Sequence, residues 1–221
     1  MSLQQINTQD LVENLLTNIK EPIPEKKLVP RTQEEWDKFL KEKQAEQKKQ
    51  QEISRLGGLL SYEEYTRDKF DNKAILDALS GFPEENYFLW GPAGTGKTHA
   101  ATAVLRETPN AYVIRMSRIS RWLRRCDGPD EEIDVIKKLS NISMLLDDLG
   151  SEKMTEFLQS NFYEIIDRRV EYRVNGLIIT SNLSLDQLAP IIGDRTVSRI
   201  MWLVGKKNIL EFSGKDYRWQ K

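Results

Sequence analysis

The sequence predicts an α/β fold in which a five-stranded parallel sheet is covered by helices on both faces and preceded by a small helical segment. Three observations predict it. From Gly58 onward, short apolar runs alternate with amphipathic helical stretches, the pattern of a sheet buried on both sides. The first apolar run ends at a glycine-rich stretch, GPAGTGKT, and helix-forming HAATAVLRE follows at once. Before Gly58 the alternation is absent and charged helix formers dominate. The chain of 221 residues is therefore divided into residues 1–57, a helical segment, and residues 58–221, the core domain.

In the first part, Leu11, Leu15, Leu16 and Ile19 have helical spacing. The stretch EPIPEKKLVP carries three prolines and reads as an extended linker. Thr32 and Glu35 form a capping box that opens a charged helix from about Gln33 to Leu56. Its apolar residues lie near the ends: Trp36, Phe39 and Leu40, then Ile53 and Leu56. Two readings fit, a solvated bridging helix and an arm that buries its apolar ends on a partner.

In the second part the expected strands are Tyr87 to Trp90, Tyr112 to Ile114, Ile142 to Leu146, Leu177 to Thr180 and Ile209 to Phe212. Phe157, Leu158, Phe162, Ile165, Ile166 and Val170 make one helical stripe. Ser184 and Gln187 make a second capping box, and Gly193 ends the helix that it starts.

Composition excludes several classes of function. Lys plus Arg is 33 against 34 for Asp plus Glu, so any nucleic-acid contact must be local. One Cys and one His rule out a disulfide scaffold and leave no Cys/His zinc site within the chain. No apolar run is long enough to span a bilayer, and MSLQQINTQD has no signal-peptide pattern. The expectation is a soluble cytoplasmic protein without a membrane partner.

Four motifs carry chemistry. GPAGTGKT has the phosphate-loop spacing over Gly91, Pro92, Ala93, Gly94, Thr95, Gly96, Lys97 and Thr98, with His99 adjoining. Its glycines let consecutive N–H groups turn inward around phosphates. Lys97 is placed to reach the β- and γ-phosphates of ATP, and Thr98 to offer its hydroxyl to Mg²⁺. The helix that follows aims its N-terminal dipole at the anion. LLDD ends on Asp147 and Asp148. The first acid suits a metal and the second suits orienting or deprotonating a water. In IITSN, Asn182 follows another central strand and is placed to hydrogen-bond that water. In GDRTVSRI, Arg195 and Arg199 share one face of a short helix. Arg199, with Arg195 as second choice, is the candidate arginine finger toward a neighbouring subunit.

A fifth feature is a basic strip. Arg115, Arg118, Arg121, Arg124 and Arg125 fall in one acid-free stretch. On a helix they occupy one side, with Met116, Ile119 and Leu123 on the other and Trp122 at the border. Arginines neutralise phosphates and an aromatic ring stacks on bases, so the strip suits single-stranded DNA. The alternative is a solvated face paired with the acids of DGPDEEID. His99 is expected to face a neighbouring segment without doing chemistry, and Cys126 to be inert.

These motifs, in this order, resemble the AAA+ ATPases of the initiator and helicase-loader group. GTGKTH, LLDDLGSEK, a helix ending IIDRR, TSN, GDR..SRI and a closing DYRW look like bacterial helicase loaders of the DnaC/DnaI type. The resemblance implies a P-loop AAA+ core without a C-terminal lid. It also implies ATP hydrolysis with Mg²⁺, self-association through the ATP site, and an extra helical element on the arginine strip that touches single-stranded DNA. A replicative ring helicase is the implied partner of the N-terminal segment. Asn72, in SYEEYTRDKFDNKAI, would lie near the nucleotide base. Two departures stand out. One Cys cannot supply the zinc domain of the DnaI branch, and Ala100 stands where Leu is common. IstB-like transposition ATPases, which act on duplex DNA, share GTGKTH and a similar ending, and form one alternative; a non-hydrolysing loader mimic, in which the ATP site is structural, forms the other.

Overall fold

The computed structural model describes residues 37–45, 47 and 64–214. These fall in two units of the chain, divided between Gln47 and Lys48. In the first unit the described residues are helical and exposed, Phe39 and Leu40 among them. The expected Leu11–Ile19 helix, the proline linker, the Thr32 capping box and the closing DYRW lie outside the described residues.

In the second unit the strands are β1 (Tyr87–Trp90), β2 (Tyr112–Arg115), β3 (Met144–Leu149), β4 (Leu177–Ser181) and β5 (Ile209–Glu211). They form one five-stranded sheet in the order β2-β3-β4-β1-β5, with every pair parallel. The helices are α1 (Lys73–Ala78), α2 (Lys97–Arg106), α3 (Met116–Leu123), α4 (Pro129–Asn141), α5 (Glu156–Glu171), α6 (Leu185–Ile192) and α7 (Asp194–Val204). The expected five-stranded parallel sheet with flanking helices is what forms.

Strand alternation assigns each layer. Tyr87, Leu89, Val113, Leu145 and Ile178 point to the face covered by α1 and α2. Phe88, Ile114, Met144, Leu146, Leu177 and Ile179 point to the face covered by α3 to α7. Both faces are thus apolar, which is why these strands read as continuous runs. Each fully buried Leu, Ile or Phe contributes about 1.5–3 kcal/mol, so the two layers hold the strand ends rigidly for whatever is mounted on them.

Three local outcomes differ from the sequence reading. β3 begins at Met144, because α4 runs through Asn141 and Ile142 is its extended C-cap. The third strand is therefore shifted toward the acids and contains them. α4 itself went unrecognised, although Gly128 and Pro129 mark its start and Asp130, Glu131 and Glu132 fill its first turn. Lastly, the arginine segment is a helix only from Met116 to Leu123, with Arg115 as its N-cap, Arg124 as its C-cap and Arg125 beyond it.

Arg169 is fully buried on α5. Its guanidinium donates to the carbonyls of Leu139 and Ile142 at the end of α4, and to that of Asn175 before β4. It so satisfies carbonyls that the end of α4 leaves without helical partners. Burial lowers its pKa to about 10, which still leaves it charged at neutral pH.

Candidate nucleotide site

The carboxyl ends of β1, β3 and β4 lie side by side, where open parallel sheets hold their ligands. β1 delivers Gly91 through Thr98. Gly91 has φ +138°, and a Cβ there would lie 2.0 Å from the Phe212 carbonyl oxygen. Gly96 has φ +91°, and a Cβ there would meet the Phe70 ring at 2.8 Å. Both positions require glycine. α2 starts at Lys97, so its N-terminus opens into the loop.

Lys97 Nζ donates to Gly91 O and Pro92 O, each at 2.7 Å, and to Asn182 Oδ1 at 3.0 Å. Thr95 Oγ1 also donates to Pro92 O. The loop is thus curled around the ammonium, with Pro92 and Ala93 exposed and Gly94 half-buried. Thr98 Oγ1 donates to Asp147 Oδ1 at 2.7 Å. Asn182 Nδ2 donates to Asp148 Oδ1 at 3.2 Å. The two acids, Asn182, Lys97 and Thr98 therefore meet at one corner.

Thr180, inside IITSN but given no role from sequence, completes the corner. Its hydroxyl donates to Asp147 Oδ1 at 2.8 Å and accepts from the Asp148 N–H at 2.9 Å. Five hydrogen bonds so link Thr98, Asp147, Thr180, Asp148, Asn182 and Lys97 in series, and the peptide bond between Lys97 and Thr98 closes the ring. The available signal was strand period: Ile178, Thr180 and Asn182 alternate on the α2 side.

The donors fit a Mg²⁺ ion bound together with nucleotide phosphates. Thr98 hydroxyl and Asp147 carboxylate are hard oxygen ligands, and Mg²⁺ usually takes one or two protein ligands and completes its shell with water and phosphate. Among the described residues no cluster of three or more His, Cys, Asp or Glu side chains forms a separate metal cage.

Other expected site residues are placed as follows. His99 turns away from the loop: its Nε2 lies 2.9 Å from Thr66 O, and its ring stacks on Tyr65 and meets Phe70 edge-on. Its side chain is therefore a packing element. Asn72 caps α1, its Oδ1 accepting from Ile75 N at 3.3 Å. Arg199 pairs with Asp167 of α5 at 2.7 Å, while Arg195 is exposed. Exposed Met201 and Trp202 lie on the same helix, α7.

The arginine strip divides in two. Arg115 ends β2 beside Asp147 in the ladder, and its Nε lies 3.6 Å from Asp147 Oδ2. It belongs to the surroundings of the acid as well as to the basic face. On α3 and just beyond it, Arg121, Arg124 and Arg125 are exposed, and Arg118 is half-buried with its guanidinium over the Trp122 ring at 5.1 Å. Among the described residues these four arginines make no ion pair with the acids of DGPDEEID; Glu131 instead accepts from the Asp127 N–H. Met116, Ile119 and Leu123 are buried, and Trp122 is half-buried against the same core.

Comparison with known proteins agrees with this fold. Among solved structures, the DnaC helicase loader matches with a TM-score of 0.59 and 24% identity, over 70% of this chain and 100% of that one. DnaI matches with a TM-score of 0.55 and 21% identity, over 71% of this chain and 92% of that one. At these identities the likeness is one of fold, the P-loop AAA+ type. Similar sequences come from mobile elements. The ATP-binding protein of insertion sequence IS5376 from Geobacillus stearothermophilus is 29% identical over 61% of this chain and 56% of its own length. That of IS21 from Pseudomonas aeruginosa is 26% identical over 61% of this chain and 52% of its own. The matched region thus spans about half the length of these relatives. The description "IstB-like ATP binding protein" fits residues 42–221. That match covers more than half of the chain, and the chain belongs to the IstB-like ATP-binding family.

Proposed function

We propose that the chain is an ATP-hydrolysing AAA+ loader that docks on a replicative ring helicase in the cytoplasm and delivers it onto single-stranded DNA. The observation that carries the ATP chemistry is the closed ring of contacts joining Lys97, Asn182, Asp148, Thr180, Asp147 and Thr98. In this reading the loop N–H groups and Lys97 bind the phosphates of ATP. Thr98 and Asp147 hold Mg²⁺, which when bound supplies positive charge to the phosphate oxygens. Asp148 orients the attacking water and accepts its proton, and Asn182 ties that acid to Lys97. Hydrolysis serves as a timed release.

Arg199, or Arg195 beside it, acts on the nucleotide of a neighbouring copy. The Arg199–Asp167 pair is partly exposed and worth about 0.2–1 kcal/mol, so Arg199 exchanges it for a phosphate at little cost. Exposed Trp202 has the character of an interface anchor. Arg118, Arg121, Arg124 and Arg125, with Arg115 at their base, contact single-stranded DNA. The N-terminal segment, whose Phe39 and Leu40 are exposed, binds the helicase.

A second reading is favoured by the insertion-sequence relatives: the same ATP switch assembles on duplex DNA and recruits a transposase. A pulldown of the full chain with ATP or ADP, offered the host's replicative helicase or an IS21-type transposase, separates the two. Capture of the helicase that is lost on removing residues 1–57 supports loading. Capture of the transposase alone transfers the assignment to transposition. Binding to neither under any nucleotide condition sinks both.

A further inference from the structure

β3 and β4 pair in register at Met144↔Leu177, Leu145↔Ile178 and Leu146↔Ile179, and then again at Leu149↔Ser181. Between these last two pairs, Asp147 and Asp148 stand opposite the single residue Thr180. This is a β-bulge, which interrupts the ladder, re-aims side chains and recurs next to active sites. Asp148 has φ 62°, the left-handed region that Asp tolerates better than most residues.

The bulge solves a geometric problem. Along an uninterrupted strand, successive side chains point to opposite faces. Asp147 follows Leu145 toward α2, and Asp148 would follow Leu146 into the apolar layer of α5 to α7. Both carboxylates are instead at the nucleotide corner, one on Thr98 and the other on Asn182. Thr180 is the residue opposite the bulge. Its hydroxyl accepts the Asp148 N–H, which the ladder no longer pairs, and donates to the carboxylate of Asp147. It is 1% exposed, so water does not take its place in either bond.

We propose that Thr180 is a positioning residue of the nucleotide site, whose hydroxyl holds the β3 bulge and thereby sets the spacing of Asp147 and Asp148. The proposal rests on the ATP-site reading for its consequence in turnover, but its structural core does not. A hydroxyl is required, because one atom must donate to a carboxylate and accept from an amide together. Serine keeps both bonds; valine keeps the shape and the branch at Cβ while losing both; alanine loses both without inserting a methyl.

The experiment compares Thr180→Ser, Thr180→Val and Thr180→Ala in the full chain, with two readouts. The first is hydrogen exchange at the Asp148 amide without nucleotide. Protection should persist in the Ser variant and fall at least about tenfold in the Val and Ala variants, as for a lost buried hydrogen bond. The second is the affinity for an ATP analogue with and without Mg²⁺, together with kcat and KM. Loss of a positioning partner of this kind costs roughly 10–100-fold, so Val and Ala should lose that much of the Mg²⁺-dependent affinity and of kcat while Mg²⁺-free affinity holds. Thermal unfolding selects which of the two is folded for this comparison. An Asp148 amide as protected in the folded Val or Ala variant as in the parent overturns the proposal, and so does a Ser variant that falls as far as Val. Exchange that changes as described in a chain showing no hydrolysis upholds the positioning role and overturns the ATPase reading instead.

Discussion

The phosphate corner and the arginine face of α3 are both sites of dense charge, yet they are built in opposite ways. At the corner, every singled-out side chain is held by another: Lys97 by Asn182 and two carbonyls, Asp147 by two hydroxyls, Asp148 by Asn182. On the arginine face, Arg121, Arg124 and Arg125 project from the end of a short helix with no ion pair among the described residues. The corner therefore depends on position to a fraction of an ångström, and the face on the number of charges. Single atoms should matter at the first and only sums at the second.

The largest effect that would test this contrast is at Lys97. Replacing Lys97 by Ala removes charge-assisted contacts worth about 3 kcal/mol, and the affinity for ATP should fall roughly 150-fold. Titration with a fluorescent ATP analogue measures it; an affinity close to the parent's would mean that the loop does not hold phosphates. Asp148→Asn comes next. It keeps size and shape but cannot accept a proton, so turnover should fall about 100-fold or more with nucleotide affinity changed by no more than about threefold. A parallel loss of binding would show that Asp148 holds the nucleotide and does not act on water.

The arginine face should answer differently. Exchanging Arg121 and Arg124 together for Glu should weaken single-strand binding by about tenfold at low salt and flatten its salt dependence by one to two units of slope, while either Arg→Ala change alone costs only about threefold. Fluorescence anisotropy across a salt series reads this. Affinity that is unchanged and insensitive to salt removes DNA from the face, and a total loss from one Arg→Ala change would make the face as position-dependent as the corner.

The smallest effect calibrates the others at a place that belongs to neither region. Glu85 accepts from Lys207, Asn208 and the Tyr87 hydroxyl. These bonds, Lys207 first, hold its carboxyl below the ordinary value of 4.5. A depressed carboxylate pKa gives stability that is fully present above the unfolded value and is lost as pH falls through the folded one. The thermal midpoint should therefore drop on acidification below about pH 4.5, and Glu85→Gln should make that limb shallower. Identical acid limbs would show that Glu85 contributes nothing there.

The same contrast explains what could be read in the sequence. The sheet was legible because burial on both faces leaves apolar runs such as YFLW and LIIT that need no distant information. The meeting of the loop, both acids and Asn182 was legible because the chemistry proposed for them fixes residue type and spacing. Four things were not. α4 was passed over as a source of acids, though Gly128-Pro129 opens it. The bulge was invisible because it is a property of two strands together: nothing in LLDDLG alone says that Thr180 will stand opposite both acids. Arg169 reads as one more surface charge in IIDRR until α4, α5 and β4 close around it. Arg115 was grouped with its neighbours in sequence, and the ladder placed it beside Asp147.

One junction has a mechanical meaning. Arg115 is both the last residue of β2 and the N-cap of α3, so strand passes into helix with no loop between them. Such a joint has no slack. A torque on α3 is not taken up by a loop; it arrives at the strand end itself, where Arg115 pairs with Asp147 in the ladder and its guanidinium faces that carboxylate. The basic face is thus a rigid crank on the sheet, and the carboxylate of Asp147 sits at its pivot.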